Sequence, residues 1–219
     1  TVASIQAVKT ATGNSEDSEK RNVIVRGNGV TPLPGTKTEV QSIDSLFRSK
    51  GLLASSFLFS KAGEKSVKAQ SIKSSSIIHF ATHGFADPYD PSASGLILAE
   101  VPTDQEDGVL YGFEVLELKL PAQLIVLSAC ETGLGKVFPG EGSVSLTRNF
   151  MLAGANNVVS SLWQVSDVST QKLMVNFYER LVQNTSLNYS LALSDAKKKL
   201  VKEGFAHPYY WSAFLLHGR

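Results

Sequence analysis

The chain has one cysteine, two methionines and two tryptophans in 219 residues. A single thiol excludes an internal disulfide framework and any cysteine-based zinc site, and it suits a reducing compartment, so a cytoplasmic protein is expected. Long apolar runs are also missing: none approaches the roughly 20 residues that cross a bilayer, and no membrane association is expected. Neither sign of charge is in excess. With 21 Lys and Arg against 20 Asp and Glu, interspersed to a formal charge of +1, direct binding of nucleic acid is not expected. No charged start leads into an apolar core with a cleavage site, so no secretory signal is read, and the sequons at Asn184 and Asn188 are taken as chance. Internal repeats and low-complexity tracts are absent too.

What remains is an ordinary globular composition, 42% hydrophobic and 19% charged, in a chain long enough to bury a full core. The first residue is Thr1, and "TATGNSEDSEKR" (10–21) is polar, so residues 1–21 read as a leading segment or linker from a longer chain, with one domain over 22–219. Strand-like runs then alternate with helix-period segments. "NVIVR" (22–26) reads as a strand and "TKTEVQSIDSLFRSKG" (36–51) as a helix ended by Gly51. A short helix near 65–72 precedes the strands "SIIHFA" (76–81) and "GLILA" (95–99). "QLIVLSAC" (123–130) is an unbroken apolar run, suited to a strand covered on both faces. Helices at 143–153, 168–182 and 187–203 interleave with strands at 157–163 and 210–216. Such alternation predicts a mostly parallel sheet with helices on both faces, and catalytic groups in that class collect at the carboxyl ends of the strands.

Two chemistry-bearing residues fall at such ends. Cys130 closes an apolar strand before "ETGLG", and His83 stands in the turn expected after "SIIHFA". A strand-end thiol with a histidine partner can form a reactive thiolate, although a lone cysteine in a parallel strand is often an inert core residue. Gly84 follows His83 directly. Its N–H, with that of Cys130, would suit an oxyanion hole, while the plain alternative is a glycine that only lets the chain turn. His79 lies inside the strand and is read as packed. No third ligand accompanies His79 and His83, so no metal and no cofactor is expected.

The segments "HFATHGF", "IVLSACETGLG", "GEGSVSLTRNFMLAGANNVVSSLWQVSD" and "HPYYWSAFLLHG", in this order, resemble the CHAT domain, a caspase-like cysteine peptidase family related to caspases, gingipains and separase. The resemblance runs from about residue 22 to the end. It implies an α/β fold, a caspase-like three-layer α/β/α sandwich with a mostly parallel sheet of about six strands. It also implies His83 as general base, Cys130 as nucleophile, a protein or peptide substrate, and an upstream repeat module such as tetratricopeptide repeats. "SLWQVSD" further resembles the separase segment "LWDVTD", whose acid lines a pocket for arginine. By that analogy Asp167 selects a basic residue before the cut and Trp163 walls the groove. The alternatives are an Asp167 that caps the helix it precedes and a Trp163 that belongs to the core. Preference for aspartate is less favoured, because Arg148 is the only arginine between Cys130 and Trp163. Glu131 and Glu141 are given no catalytic role, since a carboxylate opposes thiolate formation. Glu141 is assigned to a glycine-flanked mobile loop.

Three functions follow for testing: a cysteine endopeptidase, a catalytically silent interaction or signalling module of the same fold, and a nucleotide-binding protein. The last fails at "GLGK". A phosphate loop needs glycine where Cys130 stands and Ser or Thr where Val137 stands, and a dinucleotide fingerprint needs glycine at Phe138.

Overall fold

The computed structural model describes residues 2–6, 33–87, 90–99, 106–129, 135–138, 142–183 and 188–218. Eleven strands and seven α-helices are described. The strands are β1 (Val2–Gln6), β2 (Ala54–Phe57), β3 (Ile77–Ala81), β4 (His83–Phe85), β5 (Gly95–Ile97), β6 (Val109–Tyr111), β7 (Leu124–Ser128), β8 (Gly135–Phe138), β9 (Gly142–Ser145), β10 (Asn157–Ser161) and β11 (Phe214–Gly218). The helices are α1 (Pro34–Ser49), α2 (Glu64–Lys68), α3 (Gln70–Lys73), α4 (Gly112–Glu117), α5 (Leu146–Leu152), α6 (Asp167–Gln183) and α7 (Tyr189–Lys202).

The main sheet has six strands in the order β11-β10-β7-β3-β1-β2. All neighbours run parallel except β10 and β11, which are antiparallel. β3 and β7 are buried along their whole length, as their apolar runs predict. Alternate side chains enter opposite cores. Ile78, Phe80, Ile125 and Leu127 join Val67, Val115 and Phe150 on one face, while Ile77, Leu124, Val126 and Val159 join Ile43, Phe177 and Leu200 on the other. Helices α2 to α5 therefore supply one outer layer and α1, α6 and α7 the other.

The helices form where the apolar period predicts. α1 buries Val40, Ile43 and Phe47 on one stripe and stops at Gly51, whose φ of +71° suits glycine. α6 buries Leu173, Met174, Phe177, Tyr178 and Leu181. α7 is capped by the Asn188 side chain, which accepts the Leu191 N–H at 2.9 Å.

Four expectations need correction. Residues 2–6, read as part of the leading segment, form β1 inside the main sheet, pairing Val2 with Ile77 on one side and with Ala54 on the other. The polarity of residues 10–21 does not extend back to them. His83 is not in a turn: after Thr82 it opens β4, which pairs antiparallel with β5. The strand expected at 95–99 belongs to that small three-stranded sheet, β4-β5-β6, and not to the main one. Residues 143–145, read as the start of a helix, belong to β9, which pairs with β8 in a separate ribbon. The strand expected at 22–26 lies outside the described residues.

Candidate active site

The carboxyl ends of β3 and β7 are level. Ala81 faces Ser128 in the parallel ladder, and the Thr82 N–H donates to the Ser128 carbonyl. His83 follows Ala81 by two residues, as Cys130 follows Ser128. Cys130 and its neighbours Glu131 and Glu141 lie outside the described residues, so the geometry on that side ends at Ala129. The Ala129 carbonyl is held by the Ser161 hydroxyl at 2.5 Å, which fixes the chain entering the cysteine to the end of β10. On the histidine side, the Thr82 hydroxyl donates to the Ile97 carbonyl, and the ladder pairs His83 with Ile97 and Gly84 with Leu96. His83 and Gly84 are half-buried at the edge where β4 leaves the main sheet.

A pocket of about 350 Å³, counting its open mouth, sits beside these ends. Its walls include Thr82 and Ala129, the residues directly before His83 and Cys130, together with Ser128, Ser161, Glu39 and Asp167. Asp167 and Thr170, one turn apart on α6, face Thr36 and Glu39, one turn apart on α1.

Asp167 is the first residue of α6, yet its carboxylate serves the other helix. Its Oδ2 accepts the Gly35 N–H at 2.7 Å. α1 lacks a side-chain cap of its own at Leu33, so this remote acid satisfies one of its orphan donors. Gly35 permits the approach: a Cβ there would lie 2.7 Å from the same oxygen. The sequence alternative is a cap on the helix that Asp167 precedes; the N–H it accepts belongs to α1 instead, and the carboxylate also lines the pocket. Trp163 is placed differently. Its indole N–H donates to the Tyr209 carbonyl at 3.2 Å and its ring packs on the core beneath α6 and α7. It is not among the pocket walls.

His79 is fully buried, as expected of a packed histidine. Nε2 lies 2.8 Å from Glu39 Oε1 and Nδ1 lies 3.2 Å from the Tyr178 hydroxyl. Glu39 and Ser128 are two of the pocket residues that the sequence did not single out. A signal existed for the first: Glu39 is an acid on the buried stripe of α1, next to Val40, and His79 is a base in a strand covered on both faces. Two buried ionisable groups need each other. Ser128 carries no comparable signal in the sequence.

Residues 2–219 match the family model of the CHAT domain. The chain belongs to the CHAT domain family. The match takes in residues 2–21, which sequence reading had set apart. Among curated proteins, it is 27% identical to human tetratricopeptide repeat protein 28 in an alignment of 220 positions that covers 85% of this chain and 8% of that protein. The mouse tetratricopeptide repeat protein 28 is 34% identical over 111 residues, half of this chain and 4% of its own length. Among solved structures, separase in the Saccharomyces cerevisiae separase–securin complex superposes with a TM-score of 0.56 at 14% identity, over 99% of this chain and 12% of that one. The Arg-specific cysteine proteinase gingipain R gives 0.59 at 11% identity, over 99% of this chain and 45% of that one. This CHAT domain therefore has the caspase-like α/β fold of cysteine peptidases. None of its described helices is long and apolar enough to cross a membrane.

Proposed function

We propose that this CHAT domain is a cysteine endopeptidase in which His83 and Cys130 form the catalytic dyad. One observation carries the reading: Ala81 and Ser128 are in register on adjacent parallel strands, and the histidine and the cysteine each follow by two residues. Neighbouring strands run about 4.8 Å apart, a spacing that lets side chains from their ends meet. In the reaction His83 takes the thiol proton and the sulfur attacks a peptide carbonyl carbon, forming the C–S bond. The oxyanion is held by N–H groups of Gly84 and Cys130. The C–N bond then breaks, His83 returns its proton to the leaving amine, and water hydrolyses the thioester.

The pocket at the ends of β3 and β7 supports selection of a basic residue before the cut, with Asp167 as the acid that reads it. Trp163, which bonds Tyr209 and is not one of the pocket walls, is given no part in reading that residue. The tetratricopeptide repeat proteins among the relatives support an upstream repeat module as the regulator. The test uses the intact protein and a cysteine-directed peptide probe. Labelling is expected in the wild type and lost in Cys130→Ala and His83→Ala. A folded wild type that stays unlabelled, and cleaves nothing in a peptide library, replaces this reading with the silent interaction module.

A further inference from the structure

Two buried polar atoms in the pocket wall lack a hydrogen-bond partner among the described residues: Glu39 Oε2 and Ser128 Oγ. Glu39 is 1% exposed and Ser128 4%. Three other hydroxyls of the pocket wall are committed, Thr36 to Leu33, Thr82 to Ile97 and Ser161 to Ala129, and Thr170 on α6 is only half-buried. Glu39 itself is half committed, since Oε1 meets His79 and only Oε2 is left. An unsatisfied buried acceptor costs about 1–3 kcal/mol, so native proteins keep one mainly where something else completes it. Here two of them share one opening, and Asp167, less buried, stands over it with an oxygen left after its bond to Gly35.

We propose that the pocket receives a guanidinium group, with Glu39 and Ser128 as its specificity-determining residues alongside Asp167. Two carboxylate oxygens, on α1 and α6, and a hydroxyl that can accept, on β7, call for a ligand with several N–H donors and positive charge. Guanidinium offers five donors in a plane and is more weakly hydrated than ammonium, so it enters a half-apolar pocket walled by Leu33, Val165 and Phe214 at lower cost. Behind the pocket, His79, itself bonded to the Tyr178 hydroxyl, holds the Glu39 carboxylate through Oε1, so Oε2 is fixed before a ligand arrives. The inference rests on the peptidase reading for one point only, that the guanidinium is the arginine side chain of the substrate.

The experiment measures binding of butylguanidine and butylamine to the intact protein by calorimetry, and cleavage of Arg and Lys peptides, in wild type, Glu39→Gln and Ser128→Ala. Far-UV circular dichroism confirms the fold, and Ser128→Ala serves if Glu39→Gln does not fold. Butylguanidine is expected to bind about tenfold more tightly than butylamine, the worth of one charge-assisted hydrogen bond, and either variant to lose about that factor. Equal binding of the two compounds, no binding, or unchanged binding in the folded variants overturns the proposal. A wild type that binds butylguanidine and cleaves nothing discards the peptidase and keeps the pocket. One that cleaves while the variants retain full Arg preference does the reverse.

Discussion

Burial pushes the Tyr178 phenol well above its ordinary range, and the Glu39 carboxylate and Tyr189 nearby add to the effect. In the unfolded chain the same group ionises near pH 10, about the value of a free tyrosine. Between those two values the native state binds the extra proton, so stability falls as pH rises through about 10, and the contribution is fully present below it. Tyr178→Phe removes the ionisable group. The variant is expected to show a flatter alkaline limb than the wild type, and at neutral pH to lose about 1–2 kcal/mol because His79 Nδ1 loses its partner. Urea unfolding at several pH values from neutral to about 11 compares the two. Limbs of equal slope would assign the alkaline loss to other groups.

At the scale of elements, one cation ties α2 to α4 and to the chain leading into β6. Lys68 donates to Glu64, Glu106 and Glu114 at 2.9, 2.7 and 2.9 Å. Glu64 also accepts the Gly108 N–H, and Glu114 the Tyr111 N–H. The three carboxylates converge closely enough to hold a metal ion, and Lys68 fills that position. Burial raises the Glu64 carboxyl above its usual range despite this partner. Lys68→Met is expected to cost about 1–3 kcal/mol, because the Glu64 charge keeps only Gly108, with the figure held down by the partial exposure of Lys68 and Glu106. Adding Glu64→Gln should restore part of the loss in thermal unfolding, and a double variant no better than the single one would remove charge from the explanation. This cluster also marks where the sequence is hard to read. β3, β7, α1 and α6 are legible because a whole face or both faces are apolar, and the period shows. β2 reads "ASSF", too polar for a pattern, and β6 only "VLY", too short for one, so register with a neighbour decides them. β1 is paired on both sides, but "VASIQ" mixes small and polar residues and gave no such sign. The site is half legible in the same way: His83 and Gly84 stand at a strand end, whereas the pocket depends on α1 and α6 meeting across more than a hundred residues.

For the whole molecule, the question is whether two cores on opposite faces of one sheet behave as one. Phe150 is fully buried in the core that α2 to α5 cover, its ring 5.5 Å from that of Phe80. Both tryptophans, Trp163 and Trp211, pack on the opposite core. Tryptophan fluorescence thus reports one face only, while far-UV circular dichroism reports all helices. β3 and β7 contribute alternate side chains to both cores, so neither face can lose its packing without releasing the strands that hold the other. Phe150→Ala should cost about 3–5 kcal/mol through the cavity it leaves. If the sheet couples the faces, the fluorescence midpoint falls with the circular dichroism midpoint, by about 2–4 °C for each kcal/mol in a chain of this size. A fluorescence transition that stays at its wild-type temperature, while the circular dichroism signal splits in two, would show that the cores unfold separately. In that event the ends of β3 and β7, where His83 and Cys130 follow, would not be held by the molecule as a whole.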